Sequence, residues 1–245
     1  MVYYGKELKM SIIAIITARG GSKRIPKKNI KNFCGKPIIS YSIKAALDSK
    51  LFDEVMVSTD SEEIAAVAEV FGATVPFMRS EKTSDDFAVT ADVLKEVVGE
   101  YEKQGRKFDR MCCIYPTAPF LTGEKLVKAY DEFEESGADM LQPVVAFSFP
   151  PQRSFSMKDG KVSYRYPEFV NARSQDLERW YHDAGQFYFY EVNAFMKSQN
   201  TYRGGYILTR QAFVMDEIEV QDIDNLTDWK LAEMKYRLLH EDGLI

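Results

Sequence analysis

Residues 12–30 read IIAIITARGGSKRIPKKNI, and this stretch decides the architecture. Its first six residues form a short apolar run, the pattern of a strand buried on both faces. The run stops at Ala18-Arg19-Gly20-Gly21, where two glycines let the backbone turn sharply and approach a ligand closely. From Arg19 to Lys31 there are six basic residues and no acidic one. In an open parallel sheet, ligands bind beyond the carboxyl ends of the strands. Successive N–H groups in such a turn form an anion nest, so a cation-rich loop in that place suits a triphosphate. Composition alone also allows a solvated basic loop. The spacing is neither G-x-x-x-x-G-K-[ST] nor G-x-G-x-x-G, which removes the fingerprints of a P-loop NTPase and of a dinucleotide dehydrogenase.

Working outward, strand-like and helix-like segments alternate. Strands are expected at 54–58, 74–78, 110–115 and 140–146. Helices are expected at 37–47, at 64–71 ended by Gly72, around Val93 to Tyr101, and after a Thr122 cap as far as Gly137. Asp60 with Glu63 three residues on reads as a capping-box-like start. This alternation predicts an α/β fold with a mostly parallel, Rossmann-like sheet covered by helices on both faces. After Ala146 the pattern changes. Asp159-Gly160 between two short alternating runs signals a hairpin. From 147 to 185 there are eight aromatics in 39 residues, against 13% for the chain. The excess suggests a small β-rich lobe facing a ligand or a partner subunit. Strands at 186–192 and 205–208 and a helix at 229–239, capped by Thr227, complete the reading. The whole is expected to be one domain, 1–245, with an inserted lobe at 147–185.

Composition narrows the function. The chain has 245 residues, 45% of them hydrophobic and 28% charged, as in ordinary globular proteins. A net charge of −5 argues against a general nucleic-acid binder. No run approaches the ~20 apolar residues of a membrane helix. Residues 1–9 lack the apolar stretch of a secretory signal, and three cysteines suit a reducing cytoplasm. Two histidines and scattered cysteines offer no zinc site. His182-Asp183 lacks the nucleophile context of a hydrolase.

The loop resembles the signature of the CMP-sugar synthetases, the cytidylyltransferases of acidic nonulosonic sugars: A-R-x-x-S-K, then K-N after a short gap. Ala18, Arg19, Ser22, Lys23, Lys28 and Asn29 match it. The likeness continues through Val57-Ser58-Thr59-Asp60, residues 79–90, residues 116–123 and Asp222-Ile223-Asp224. It implies a nucleotide-diphospho-sugar transferase fold with a dimerisation lobe, hence a homodimer, acting on CTP and an acidic nine-carbon sugar. It places Ala18, Arg19, Gly20, Gly21, Ser22 and Lys23 around the nucleotide phosphates. Lys28 takes the role of a catalytic lysine, alongside Arg19, and Asn29 contacts the nucleotide. Arg79, Ala88 and Thr90 shape the cytosine and ribose pocket. Asp222 and Asp224 become catalytic ligands of Mg²⁺. In an extended segment, residues two apart share a face, and Mg²⁺ prefers one or two carboxylates plus substrate oxygens. From the residues alone, a pair of surface aspartates stays open.

Two departures bear on the sugar. Where the sialic acid synthetases carry glutamine before Pro-Thr, this chain has Tyr115. Where they carry Asn-Gly-Ala, it reads Asp183-Ala184-Gly185-Gln186-Phe187-Tyr188. The stretch looks like the pseudaminic acid branch of the family. Tyr115 and Gln186 are thus expected at the sugar, with Arg173 and then Arg153 as partners of its carboxylate. A synthetase for legionaminic or N-acetylneuraminic acid is the alternative, and a non-catalytic nucleotide-binding module on the same fold is a second.

Overall fold

The run at 12–17 forms strand β1 (Ile12–Thr17), and its alternation sorts the helices onto two faces. Ala14 and Ile16 point to one side, into a core shared with helices α1 (Ile39–Ser49), α2 (Glu62–Val70) and α4 (Gly123–Ser136). Ile13 and Ile15 point to the other, against Leu94, Val97, Val98 and Tyr101 of α3 (Thr90–Lys103). A strand with apolar side chains on both faces must be covered on both, and this one is. The computed structural model describes residues 10–85, 88–198, 207–241 and 243.

The main sheet has the order β11-β6-β10-β5-β1-β4, with β9 pairing onto β6. Strands β4 (Glu54–Ser58) and β5 (Arg110–Ile114) flank β1 in parallel. At the far side, β11 (Arg210–Met215) runs parallel to β6 (Met140–Ala146). Between β5 and β6 lies β10 (Phe187–Glu191), antiparallel to both. The sheet is therefore mixed, with an antiparallel strand near its centre. The aromatic run Phe187-Tyr188-Phe189-Tyr190 is buried on both faces there. Strand β9 (Tyr181–Asp183) takes over from β10 along the same edge of β6. Pro143, which cannot donate to a ladder, stands where the neighbour changes from one to the other.

Several boundaries differ from expectation for local reasons. The strand expected at 74–78 is a single bridge, Thr74 to Met56; Pro76 has no N–H with which to extend it. Helix α1 begins at Ile39, because Lys36–Pro37 (β3) pairs back on Asn32–Phe33 (β2) around Gly35, whose φ is +102°. Ser61, not Asp60, caps α2, its Oγ accepting from Ile64 N. Asn225, not Thr227, caps the last helix α6 (Leu226–Glu241), accepting from the amides of Thr227 and Asp228. Of the strand expected at 205–208, residues 205 and 206 lie outside the described residues, and 207–208 are not strand. The edge strand is β11 instead. Thr122 does cap α4, and Gly137 ends it in the left-handed conformation.

Between β6 and β9 the chain leaves the sheet. Strands β7 (Phe155–Lys158) and β8 (Lys161–Tyr164) form a hairpin closed by Asp159 and Gly160, both at positive φ, as a type I′ turn requires. All eight strand residues are exposed. The short helix α5 (Val192–Lys197) follows β10, and its Phe195 packs on the α3 side of the sheet.

Candidate active site

The carboxyl ends of β1, β4 and β5 open onto a cavity of about 520 Å³, within the usual range of about 300–1,000 Å³ for small-molecule sites. Among the described residues, five cations line it, Arg19, Lys23, Arg24, Lys28 and Arg79, against two carboxylates, Asp85 and Asp224. In a chain of net charge −5, that local excess favours an anionic ligand.

The cation loop is held from beneath. Ala18 N bonds Ser58 O at 2.9 Å, at the end of β4. Asp60 Oδ1 accepts the Gly20 N–H at 2.7 Å. Asp60 is thus an anchor of this loop, and the Gly20 amide already serves a carboxylate. A Cβ on Gly20 would stand 3.2 Å from the Ser61 Cβ, so the close approach suits glycine. Asn29 is 7% exposed, and its Nδ2 donates to Arg19 O at 2.9 Å. Arg19 Nη1 donates to Asp85 O across the cavity mouth at 3.2 Å.

A third hydrophobic cluster fastens the loop to the acidic strap before α6. Ile25 and Ile223 are buried in it with Phe33, Phe120 and Trp229. With Ile223 turned inward, Asp222 and Asp224 flank it on the outward side, as alternation demands. Lys28 Nζ donates to Ile223 O at 2.9 Å. Arg24 Nη2 meets Asp224 Oδ1 at 2.8 Å. Burial lowers the Lys28 pKa from the ordinary lysine value, while Asp224 and then Asp222 pull the other way. Both carboxylates therefore lie within electrostatic range of the amine. Further ties fix the strap. Asp228 Oδ2 accepts the Asp224 and Asn225 amides, and Lys125 Nζ pairs with Glu219 Oε1 at 2.8 Å. Lys235 Nζ donates to the carbonyls of Glu217 and Val220.

Two carboxylates on an exposed strap form a hard-oxygen set open to substrate oxygens and water, which fits a Mg²⁺-like ion. Among the described residues, no cluster of three or more His, Cys, Asp or Glu forms a closed site.

Of the expected site residues, Arg19, Gly21, Ser22, Lys23, Lys28, Asn29, Arg79, Ala88, Thr90, Tyr115 and Asp224 line the cavity. Ala18 does not, being fully buried in the core. Gly20 and Asp222 lie just outside the lining. Gln186 is 2% exposed, and its Nε2 donates to Glu219 O, so it braces the strap from just before β10. Arg153 and Arg173 stand on the excursion, away from the cavity. Arg173 Nε pairs with Asp176 at 2.7 Å, and Arg153 Nη1 donates to Ser174 Oγ at 3.1 Å. Thr17, Arg24, Thr83, Asp85, Val93, Pro116 and Thr117 also line the cavity, without a site role expected from the sequence. Arg24 was legible as one of the loop's six cations. Thr83 carried no signal of its own.

At the cavity's other margin, Tyr115 tilts against Tyr188 with ring centroids 5.6 Å apart. Tyr188 Oη donates to Asp183 Oδ1 at 2.8 Å, the oxygen that also accepts Gly185 N. Burial pushes both phenols up, so both remain neutral hydroxyls. Cys112 and Cys113 are wholly buried on opposite faces of β5. Burial raises the Cys113 thiol to about 12, which leaves it chemically inert.

The chain is 40% identical to pseudaminic acid cytidylyltransferase of Campylobacter jejuni, over 96% of this chain and all of that one. It is 33% identical to the CMP-N,N'-diacetyllegionaminic acid synthase of Legionella pneumophila, with the same coverage. A solved structure of CMP:2-keto-3-deoxy-manno-octonic acid synthetase complexed with CTP shares the fold, with a TM-score of 0.68 at 17% identity, over 94% of this chain and 99% of that one. The cytidylyltransferase profile matches residues 13–235, and the chain belongs to that family of enzymes.

Proposed function

We propose that this enzyme transfers CMP from CTP to the anomeric hydroxyl of pseudaminic acid, releasing pyrophosphate. One observation carries the reaction class: a cavity lined by five cations meets, at Lys28 and Asp224, a strap bearing two carboxylates. The choice of sugar rests on the likeness to the Campylobacter jejuni enzyme along its full length.

In this reading the sugar hydroxyl attacks the α-phosphorus in line, and pyrophosphate departs. The chain's part is positioning and charge neutralisation. Arg19, Lys23 and Lys28 hold the triphosphate and offset the charge that grows on the leaving pyrophosphate. Arg79, Ala88 and Thr90 form the wall for base and ribose. Asp222 and Asp224 would hold Mg²⁺, which when bound supplies Lewis-acid charge stabilisation at phosphate. Tyr115, backed by Tyr188 and Asp183, faces the sugar end.

The exposed excursion between β6 and β9 supports a homodimer. Phe149, Met157, Val162 and Phe155 are 86%, 76%, 63% and 54% exposed, an apolar surface that a second copy would cover. Arg153 and Arg173 lie on the same excursion, so assembly is the route by which either reaches a sugar carboxylate in the neighbouring subunit. Among the described residues no helix is long and apolar enough to cross a membrane, and we place the reaction in the cytoplasm, where CTP is made.

The test is pyrophosphate release from CTP with pseudaminic, legionaminic and N-acetylneuraminic acids in parallel. Fastest turnover with pseudaminic acid is expected. Preference for legionaminic acid would move the assignment to the neighbouring branch, and no release with any sugar would reject catalysis.

A further inference from the structure

The cavity wall opposite the acidic strap is a short turn, residues 79–85. Three of its residues, Arg79, Thr83 and Asp85, line the cavity, and the first two are 9% and 5% exposed. Arg79 is tied to the end of β4, its Nε donating to Ser58 Oγ at 3.0 Å and its Nη2 to Ser58 O at 2.5 Å. The middle of the turn, Ser80 to Thr83, is held from outside by one carboxylate, while Asp85 O at its end accepts from Arg19 Nη1. Glu96 lies within α3 and does not line the cavity. Its carboxylate accepts three hydrogen bonds from the turn: Ser80 N at 2.8 Å, Ser80 Oγ at 2.7 Å and Thr83 Oγ1 at 2.6 Å.

An ionised acceptor with three short donors makes a strong local clamp. Burial works to raise the Glu96 pKa. The hydrogen bonds from Thr83 and Ser80, with the charge of Arg79, outweigh it, and the group stays below the ordinary carboxylate value. Asp60 and Glu96 are the main anionic influences on the buried Arg79 guanidinium. Glu96 thus does two things at once. It fixes the Thr83 hydroxyl in the wall, and it offsets a cation that burial disfavours.

We propose that Glu96 is a positioning residue for nucleotide binding, preforming the wall made by Thr83 and Arg79 from behind. The inference rests on the reading that this cavity takes CTP. A preformed wall spares the ligand the cost of ordering it. Losing the clamp therefore weakens CTP binding and leaves the phosphate-end chemistry in place.

The experiment measures CTP binding by calorimetry, steady-state kinetics with CTP and sugar varied separately, and thermal stability. Glu96→Ala should raise the CTP Kd and KM about 10-fold or more, as expected for lost charge-assisted hydrogen bonds. Its kcat at saturating CTP and its sugar KM should stay within about twofold. Glu96→Gln, which keeps an acceptor oxygen, should recover part of the loss, and Ser80→Ala should give a smaller one. Thr83→Val combined with Glu96→Ala should be little worse than Glu96→Ala alone, because the two act as one unit. Should Glu96→Ala fold poorly, the Glu96→Gln and Ser80→Ala results decide in its place. A lowered melting temperature with wild-type CTP KM would overturn the inference, as would CTP and sugar KM rising together. Fully multiplicative effects of Thr83→Val and Glu96→Ala would also overturn it. If the wild-type protein binds no CTP, the nucleotide reading falls and takes the inference with it. Tight wild-type binding that Glu96→Ala leaves unchanged removes the inference alone.

Discussion

The cation loop with its acidic strap and the excursion between β6 and β9 are both irregular segments at the same edge of one sheet, yet they are built in opposite ways. The loop and strap are tied to the scaffold. Ile25 and Ile223 share a buried cluster, Lys28 spans from one to the other, and Lys125 of α4, Gln186 before β10, and Asp228 and Lys235 of α6 hold the strap. The hairpin of the excursion buries none of its eight strand residues, and Arg153 and Arg173 bond to Ser174 and Asp176 within the same excursion. On the proposed function, the contrast divides the chemistry between the two regions. Groups that must not move relative to a triphosphate are fixed within one chain. Groups expected at the sugar carboxylate stand on a surface that the chain does not cover itself.

The strongest way to break this contrast is at the strap. Asp222→Asn and Asp224→Asn should each lower kcat at least about 100-fold, since several kcal/mol of charge stabilisation is at stake. Thermal stability should change little, because the Arg24–Asp224 pair is 67% and 40% exposed and such pairs contribute about 0–1 kcal/mol. Turnover that persists in excess EDTA would reject the metal role of these carboxylates.

On the excursion, Arg173→Lys tests whether a residue outside the cavity reaches the sugar. Lysine keeps the charge but loses the planar fork. The sugar KM should rise roughly 10-fold or more, with the CTP KM nearly unchanged. An unchanged sugar KM would confine Arg173 to its pair with Asp176. The assembly itself is tested by Phe155→Asp with Val162→Asp. Wild type should sediment at about twice 28.1 kDa, and the variant as a monomer. The variant should bind CTP within about twofold of wild type and lose affinity for sugar, with its melting temperature hardly moved, because both side chains are already exposed. A fully active monomer would dissolve the contrast. The smallest effect is expected at the strap's brace. Glu219→Gln removes the partner of Lys125, a pair 13% and 19% exposed. A loss of about 1–2 kcal/mol corresponds to roughly 2–8 °C in Tm for a chain of this size, measured by calorimetry.

What was legible in the sequence follows the same division. Strands at 12–17, 54–58 and 140–146 fall where periodicity puts them, because burial on both faces leaves an unmistakable apolar run. The cation loop was visible because six cations with no carboxylate from Arg19 to Lys31 are rare without cause, whereas Asp222 and Asp224 were singled out only through the family resemblance. The direction of β10 was not visible. A buried aromatic run reads the same in either direction, and only its partners decide that it runs antiparallel. The role of Asp60 was hidden beside Ser61, since two adjacent polar residues both read as helix caps and only one has the geometry. Arg153 and Arg173 could be named as cations, but their sequence neighbourhood does not say which way each guanidinium turns.

The placement of β10 also constrains how the chain can be made. Strand β6 emerges from the ribosome well before residue 187, and until then its ladder edge and that of β5 have no partner. The chain must first produce the whole apolar hairpin, then return and slot an aromatic strand between two waiting neighbours. Closing so long a loop is slow compared with local helix formation. During that interval two unpaired strand edges and an apolar hairpin are exposed together, the conditions under which nascent chains aggregate. The strand that joins β5 to β6 thus makes assembly of the sheet a late event, and overproduction at lower temperature or with chaperones should raise the soluble yield.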